Sequence, residues 1–306
     1  MFLPVAGCSI NVLLLLGLGG MVGFLSGLFG VGGGFVLTPL LIMIGIPPTV
    51  AAASDSNQIV AASASGMLGH YRYGNVDFKM GVLLLVGGVA GSTLGVGLVK
   101  LLRQLGNADF VIMLCYVAML GLIGGYMLME SLTSLRGPQR AERAPARELR
   151  PSVYARIVNR LPFQTDFPKS GVRFSVLLPL LLGVVVGVLA AIMGVGGGFL
   201  LIPVMVYLLR MPMHTVLGTS LFQIFFTCVN VTIMQSYLNQ TVDMILALLL
   251  LVGSSIGAQI GVKVSRRLKA DQIKILLSLI VLAVMLVMLG KLVLPPKLLL
   301  AYGGAS

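Results

Sequence analysis

The hexapeptide Gly30-Val31-Gly32-Gly33-Gly34-Phe35 returns almost letter for letter as Gly194-Val195-Gly196-Gly197-Gly198-Phe199, each time in the middle of a long apolar run. Glycine clusters of this kind break a helix, and the helix that restarts behind them presents free backbone N–H groups and the positive end of its dipole. That combination attracts an anion. Glycine also lets the backbone approach a ligand with no β-carbon in the way. The chemistry these residues suggest is therefore anion binding by main chain, with Gly32, Gly33, Gly34 and Phe35 in one motif and Gly196, Gly197, Gly198 and Phe199 in the other as candidate substrate contacts. Two such breaks in corresponding halves of a membrane chain are the sequence pointer to a transport site.

A second set of polar residues lies shortly after each cluster. One apolar segment carries Ser54, Asp55, Ser56, Asn57, Gln58, Ser63 and Ser65, and its counterpart carries Thr219, Ser220, Gln223, Thr227 and Asn230. Spacings of three and four put Ser220, Gln223, Thr227 and Asn230 on one helical face, which must look into protein or a water-filled path. Ser54, Asn57, Thr219, Ser220 and Gln223 are the candidate substrate contacts of this stripe; helix packing is the competing explanation. Asp55 is the acidic residue that lies well inside an apolar segment. An intramembrane carboxylate is a functional hypothesis by default, and here it is the candidate carrier of a coupling proton.

These residues need elements to hold them, and composition sets the class. The 306-residue chain is 58% hydrophobic and only 10% charged, with apolar stretches of about twenty residues repeated along it, the mark of a polytopic helical membrane protein. Its formal net charge of +12 would suggest nucleic acid in a soluble protein. Here the basic residues gather between apolar segments, where they read as topology signals and lipid headgroup contacts, with no nucleic-acid partner. Cys8, Cys115 and Cys228 are too scattered for a disulfide or metal framework. No His, Cys or acidic cluster marks a metal site in the spans, and no cofactor is expected. Val5-Ala6-Gly7-Cys8 resembles a lipoprotein cleavage site but lacks a basic region before it, so the N-terminus reads as an uncleaved first span.

The duplication extends past the glycines. Pro39 matches Pro203 at an offset of 164; the offset then becomes 166, pairing Ser54 with Ser220, Asn57 with Gln223, Val76-Asp77 with Val242-Asp243, and Gly87, Gly91 and Gly95 with Gly253, Gly257 and Gly261. Matches in fixed order at near-constant offset signal a duplicated unit. Each unit divides into five pieces: 10–30, 34–45, 51–69, 79–102 and 109–131, then 175–194, 198–209, 214–235, 242–265 and 271–294. The second piece of each covers only about 18 Å of a core roughly 30 Å thick, so the first two pieces read as a helix that enters, breaks and turns back. The glycines spaced by four read as helix packing.

The basic stretch containing Arg136, Arg140, Arg143, Arg147, Arg150, Arg156 and Arg160 is expected in the cytoplasm. Counting charges from there places corresponding loops of the two units on opposite sides. The expected fold is an all-α polytopic membrane protein of two inverted-topology repeats, each a glycine-broken re-entrant pair plus three spanning helices. Residues 1–131 form the first repeat, 132–174 a basic cytoplasmic linker and 175–306 the second repeat. His70, Tyr71, Arg72 and Tyr73 fall at a cytoplasmic mouth, with Arg210 and His214 in the corresponding connection of the other half.

The glycine hexamer with a proline four residues on, the Thr219-Ser220 pair, the two Val-Asp dipeptides and the later glycine runs resemble the TauE/SafE family of membrane permeases. That resemblance implies export of small sulfur-containing anions such as sulfite or organosulfonates, with no ATP-hydrolysing parts. Ala53-Ser54-Asp55, standing where the second half has Thr219-Ser220-Leu221, departs from an equal division of roles. The expectation is a multi-pass secondary transporter of the plasma (inner) membrane working by alternating access, an exporter as the resemblance implies, with Asp55 the candidate for proton coupling. It is not expected to be an enzyme and has no catalytic residues. The alternatives are an anion channel or uniporter, or an intramembrane serine hydrolase using His70 or His214. Its partners are a small anion and the bilayer; which anion, the direction of transport and the coupling ion, the oligomeric state, and whether the glycine-broken pairs turn back or span fully are left open.

Overall fold

Among the described residues, each half shows a short β-hairpin followed by five helices. The computed structural model describes residues 2, 3, 5, 8–136, 164–167, 169–209, 211–265, 267, 268 and 270–293. β1 (Phe2–Leu3) and β2 (Cys8–Ser9) precede α1 (Val12–Phe29), α2 (Gly34–Met43), α3 (Pro48–Arg72), α4 (Phe78–Gln104) and α5 (Ala108–Arg136). β3 (Gln164–Phe167) and β4 (Val172–Ser175) precede α6 (Leu177–Met193), α7 (Gly198–Pro203, continued by a π-helical turn Val204–Leu208), α8 (Met213–Met234, likewise continued by Gln235–Asn239), α9 (Met244–Ser265) and α10 (Ala270–Val293). Among the described residues, six helices, α1, α4, α5, α8, α9 and α10, are long and apolar enough to cross a membrane. The chain is an all-α, multi-pass membrane protein. α3 has the length, at 25 residues, but carries the polar stripe.

The ten helices fall within a few residues of the ten apolar pieces of the sequence. The stretch expected to be a linker differs from expectation at both ends, because α5 runs on to Arg136 and residues 164–175 form the β3–β4 hairpin. The hairpin holds because Phe167 and Phe174 stack their rings 6.0 Å apart, and because its turn is fastened to α4. Ser170 Oγ donates to the Asp77 carboxylate, Lys169 Nζ donates to the Val76 carbonyl at 3.2 Å, and Lys79 Nζ returns to the Asp166 carbonyl at 2.9 Å. Residues 137–163, with Arg140 to Arg160, lie outside the described residues, as does Arg210.

Packing crosses between the halves. α1 lies along α9, and α6 lies along α4. A β-carbon added to Gly87 or Gly91 of α4 would stand 2.1 Å from the carbonyl oxygens of Leu180 and Val184 on α6, and one added to Gly257 or Gly261 of α9 would stand 2.1 Å from those of Gly20 and Phe24 on α1. The glycines are returned in kind, since Gly23 and Gly27 of α1 abut the carbonyls of Ser254 and Ala258. With no hydrophobic drive between helices in lipid, such backbone approach is what holds them. α3 then packs on α8 and α9, α8 on α4, and α5 on α10.

The Val-Asp dipeptides turn out to be helix starts. Asp77 caps α4, accepting from the Met80 N–H at 3.2 Å, and Asp243 caps α9, accepting from the Leu246 N–H at 3.2 Å. Each cap is covered by a hairpin of the other half: Ser170 of β3–β4 on Asp77, and the Val5 N–H of the β1–β2 turn on Asp243 at 3.0 Å.

The two kinds of contact yield separate stability predictions. Gly91→Leu forces α4 off α6 and should lower the unfolding midpoint in detergent by an amount equivalent to about 1–3 kcal/mol, whereas Gly97→Leu on the same helix, with nothing within 4 Å of its missing side chain, should leave it unchanged. Asp77→Ala should cost about 1 kcal/mol through loss of the cap, with Asp77→Asn recovering most of it. Thermal unfolding of the purified variants measures both.

Candidate anion site where the two broken helices meet

α1 ends because Gly30 adopts a left-handed conformation (φ +68°), and α6 ends the same way at Gly194 (φ +71°). The chain then doubles back. Gly33 (φ +83°) lies against Val22 and Ser26 of the helix just completed, and Gly197 (φ +77°) lies against Val186 and Ala190. A side chain at either position would be strained by the backbone and would collide with the preceding helix. α2 and α7 restart from these glycines with no side chain capping either start.

The two starts meet in the interior. A β-carbon on Gly34 would stand 3.0 Å from the Cα of Val195, and one on Gly198 would stand 2.3 Å from the Val31 carbonyl oxygen. The rings of Phe35 and Phe199 are 6.4 Å apart. Residues 30–35 and 194–199 are all buried. α3 and α8 close the junction with a small apolar cluster, Ile59, Ile224 and Cys228, whose side chains press on Gly32 and Gly196. The two glycine clusters thus come together in the interior.

Asp55 is fully buried at this junction. Its Oδ2 lies 2.8 Å from where a Gly34 side chain would begin and accepts a hydrogen bond from Thr38 Oγ1 of α2 at 2.6 Å. Its Oδ1 has no partner among the described residues. The carboxyl thus stands at the start of α2, in the position where the helix dipole favours negative charge. The Tyr116 hydroxyl of α5 donates to the Met193 carbonyl at the end of α6 at 2.7 Å.

The other candidates are placed differently. Ser54 Oγ accepts the Asp243 N–H at 3.0 Å, Thr219 Oγ1 accepts the Asp77 N–H at 3.0 Å, and Ser220 Oγ donates to the Gly30 carbonyl at 2.8 Å. These three hydroxyls tie helix ends of one half to the other. Gln223 lies against Gly88 of α4 and donates to Thr227 Oγ1 at 2.8 Å, while Asn230 reaches Ser92 of α4 at 2.9 Å. The polar face of α8 thus looks at α4. Asn57 is half-buried and, two residues from Asp55, lies about 200° round the helix from it. Of the expected contacts, the structure brings together the two glycine motifs and Asp55.

Thr38 is the residue that sequence reasoning missed. Its counterpart at offset 164 is Ile202, and that of Asp55 at offset 166 is Leu221; both are buried. The hydrogen-bonded polar pair of one half is replaced as a pair by two aliphatics in the other, a joint departure from the repeat that was readable in the sequence. Gln58, also fully buried, has an amide with no partner among the described residues. His70 is buried at the end of α3 near His214, and Tyr71 rests its ring edge-on against Phe78 at 5.7 Å.

Known membrane proteins are similar to this chain in sequence. The family model for the sulfite exporter TauE/SafE matches residues 15–288. A probable membrane transporter protein, YjnA, of Bacillus subtilis is 28% identical over 275 residues, covering 90% of this chain and 97% of its own. A probable membrane transporter protein of Xylella fastidiosa is 25% identical over 264 residues, covering 86% and 88%. The sulfite exporter TauE/SafE family protein 6 of Arabidopsis thaliana is 46% identical over 48 residues, 15% of this chain and 11% of its own. No solved structure matches. From the glycine junction, the apolar helices and these matches together, the chain belongs to the sulfite exporter TauE/SafE family of membrane transporters.

Proposed function

We propose that this protein is a secondary transporter that exports small sulfur-containing anions, such as sulfite or organosulfonates, across the plasma (inner) membrane. The observation that carries this reading is the meeting of two glycine-broken helix starts in the buried centre. Main-chain donors from both halves converge there without a side-chain cap, which suits a small anion.

An inverted arrangement of the repeats supports alternating access about that centre. β3–β4, which follows the basic linker, is bound to the start of α4. α4 is 27 residues long, about 40 Å, and Arg103 at its far end donates to the Asn239 carbonyl at 2.6 Å, next to the start of α9. The matching loops before α4 and α9 are thus a helix length apart, and the linker side is the cytoplasmic one by its charge. Since the glycine contacts tie α1 to α9 and α6 to α4, the rocking bodies in this reading are assembled across the halves.

The test is sulfite flux in proteoliposomes with and without an imposed proton gradient, comparing wild type with Gly33→Val and Gly197→Val. Strain and collision at either position of about 1–3 kcal/mol should lower flux about fivefold to a hundredfold in folded protein. Accumulation driven by the gradient fits a coupled transporter; downhill flux indifferent to it would identify a channel or uniporter, and full flux in both variants would remove the junction from the path.

A further inference from the structure

Resting on the anion-transport reading, we infer that Asp55 is a built-in competitor of the substrate: its carboxylate occupies the start of α2 in the unloaded protein, and an anion takes that place only when Asp55 receives a proton.

Three observations carry this. The carboxyl is at the helix start, with Oδ2 2.8 Å from the position of a Gly34 side chain and anchored by Thr38 Oγ1 at 2.6 Å. Its second oxygen is buried with no partner among the described residues. The other half lacks the device, with Leu221 and Ile202 in the matching places, so the competitor acts at one start alone.

Charge conservation supplies the logic. A carboxylate and an anion at one buried helix start repel strongly where the surroundings screen little. If the proton goes to Oδ1, Thr38 keeps its bond to Oδ2, and the new O–H donates to an oxygen of the arriving anion. No other bond is made or broken. The centre then carries one negative charge when empty and one when loaded, and one proton is taken up from solvent with each anion bound.

Few other groups near Asp55 titrate. α1 and α2 contribute none. α5 contributes Tyr116, bonded to the Met193 carbonyl, and α8 contributes Cys228 and, at its far start, His214. α9 contributes Asp243 at its own start, joined to α3 through Ser54.

The experiment is binding of methanesulfonate, an anion whose own charge is fixed across the pH range used, to the purified full-length protein. Proton uptake is recorded in weak buffer alongside affinity. Wild type should lose affinity about tenfold per pH unit as pH rises, the slope of a single linked proton, and take up one proton per anion. Asp55→Asn and Asp55→Leu, the second copying Leu221, should bind with no pH dependence and no proton uptake. Proton uptake that survives either substitution would overturn the competition, as would loss of binding in both folded variants, which would make Asp55 an essential ligand. Wild-type binding independent of pH would sink the competition alone and leave the transport reading standing. Failure of wild type to bind either methanesulfonate or sulfite at any pH would sink both.

Discussion

A helix broken inside hydrocarbon leaves backbone groups with no water to receive them, so the break survives only where protein closes over it. This chain contains two such breaks, and each closes over the other. Gly34 abuts Val195, Gly198 abuts Val31, and the Phe35 and Phe199 rings pack together above them. The rest of the architecture follows from bringing two broken helix pairs to one point. Short α2 and α7 need α3 and α8 beside them, and α1 and α6 need a surface close enough to hold them while they carry the breaks.

That surface is supplied across the halves. The glycine faces of α9 and α4 let α1 and α6 come to backbone distance, and the caps at Asp243 and Asp77 are each completed by a hydroxyl and a hairpin from the other half. The hydroxyls at the caps belong to Ser54 and Thr219, which are not counterparts in the repeat, since Thr219 stands opposite Ala53; Ser220, the counterpart of Ser54, donates to the Gly30 carbonyl instead. Their hydroxyls fasten helix ends on which the junction depends. The exception to the repeat is then informative. Thr38 and Asp55 stand together against Ile202 and Leu221, placing one carboxyl at one of two otherwise equivalent starts.

Much of this was legible in the sequence because membrane helices are written in long apolar runs and because the chain states its plan twice. The ten helices, the breaks and the packing role of the spaced glycines follow from composition and offset alone. What the sequence did not disclose are contacts between side chains far apart in the chain. Asp77 and Thr219, or Asp243 and Ser54, are more than a hundred residues apart, and nothing local marks a serine as a fastener of a helix end instead of a ligand contact. The β-hairpins escaped because strands of two to four residues carry too little alternation to register beside a basic, proline-rich stretch.

The most direct measurement is a crystal structure with selenite, the heavier analogue of sulfite, located by its anomalous scattering. The account predicts selenium at the glycine junction, its oxygens within hydrogen-bond reach of the Gly34 and Phe35 N–H groups and beside Asp55. Selenium found only along the α8 face of Gln223 and Asn230, with the junction closed around nothing but its own side chains, would contradict it.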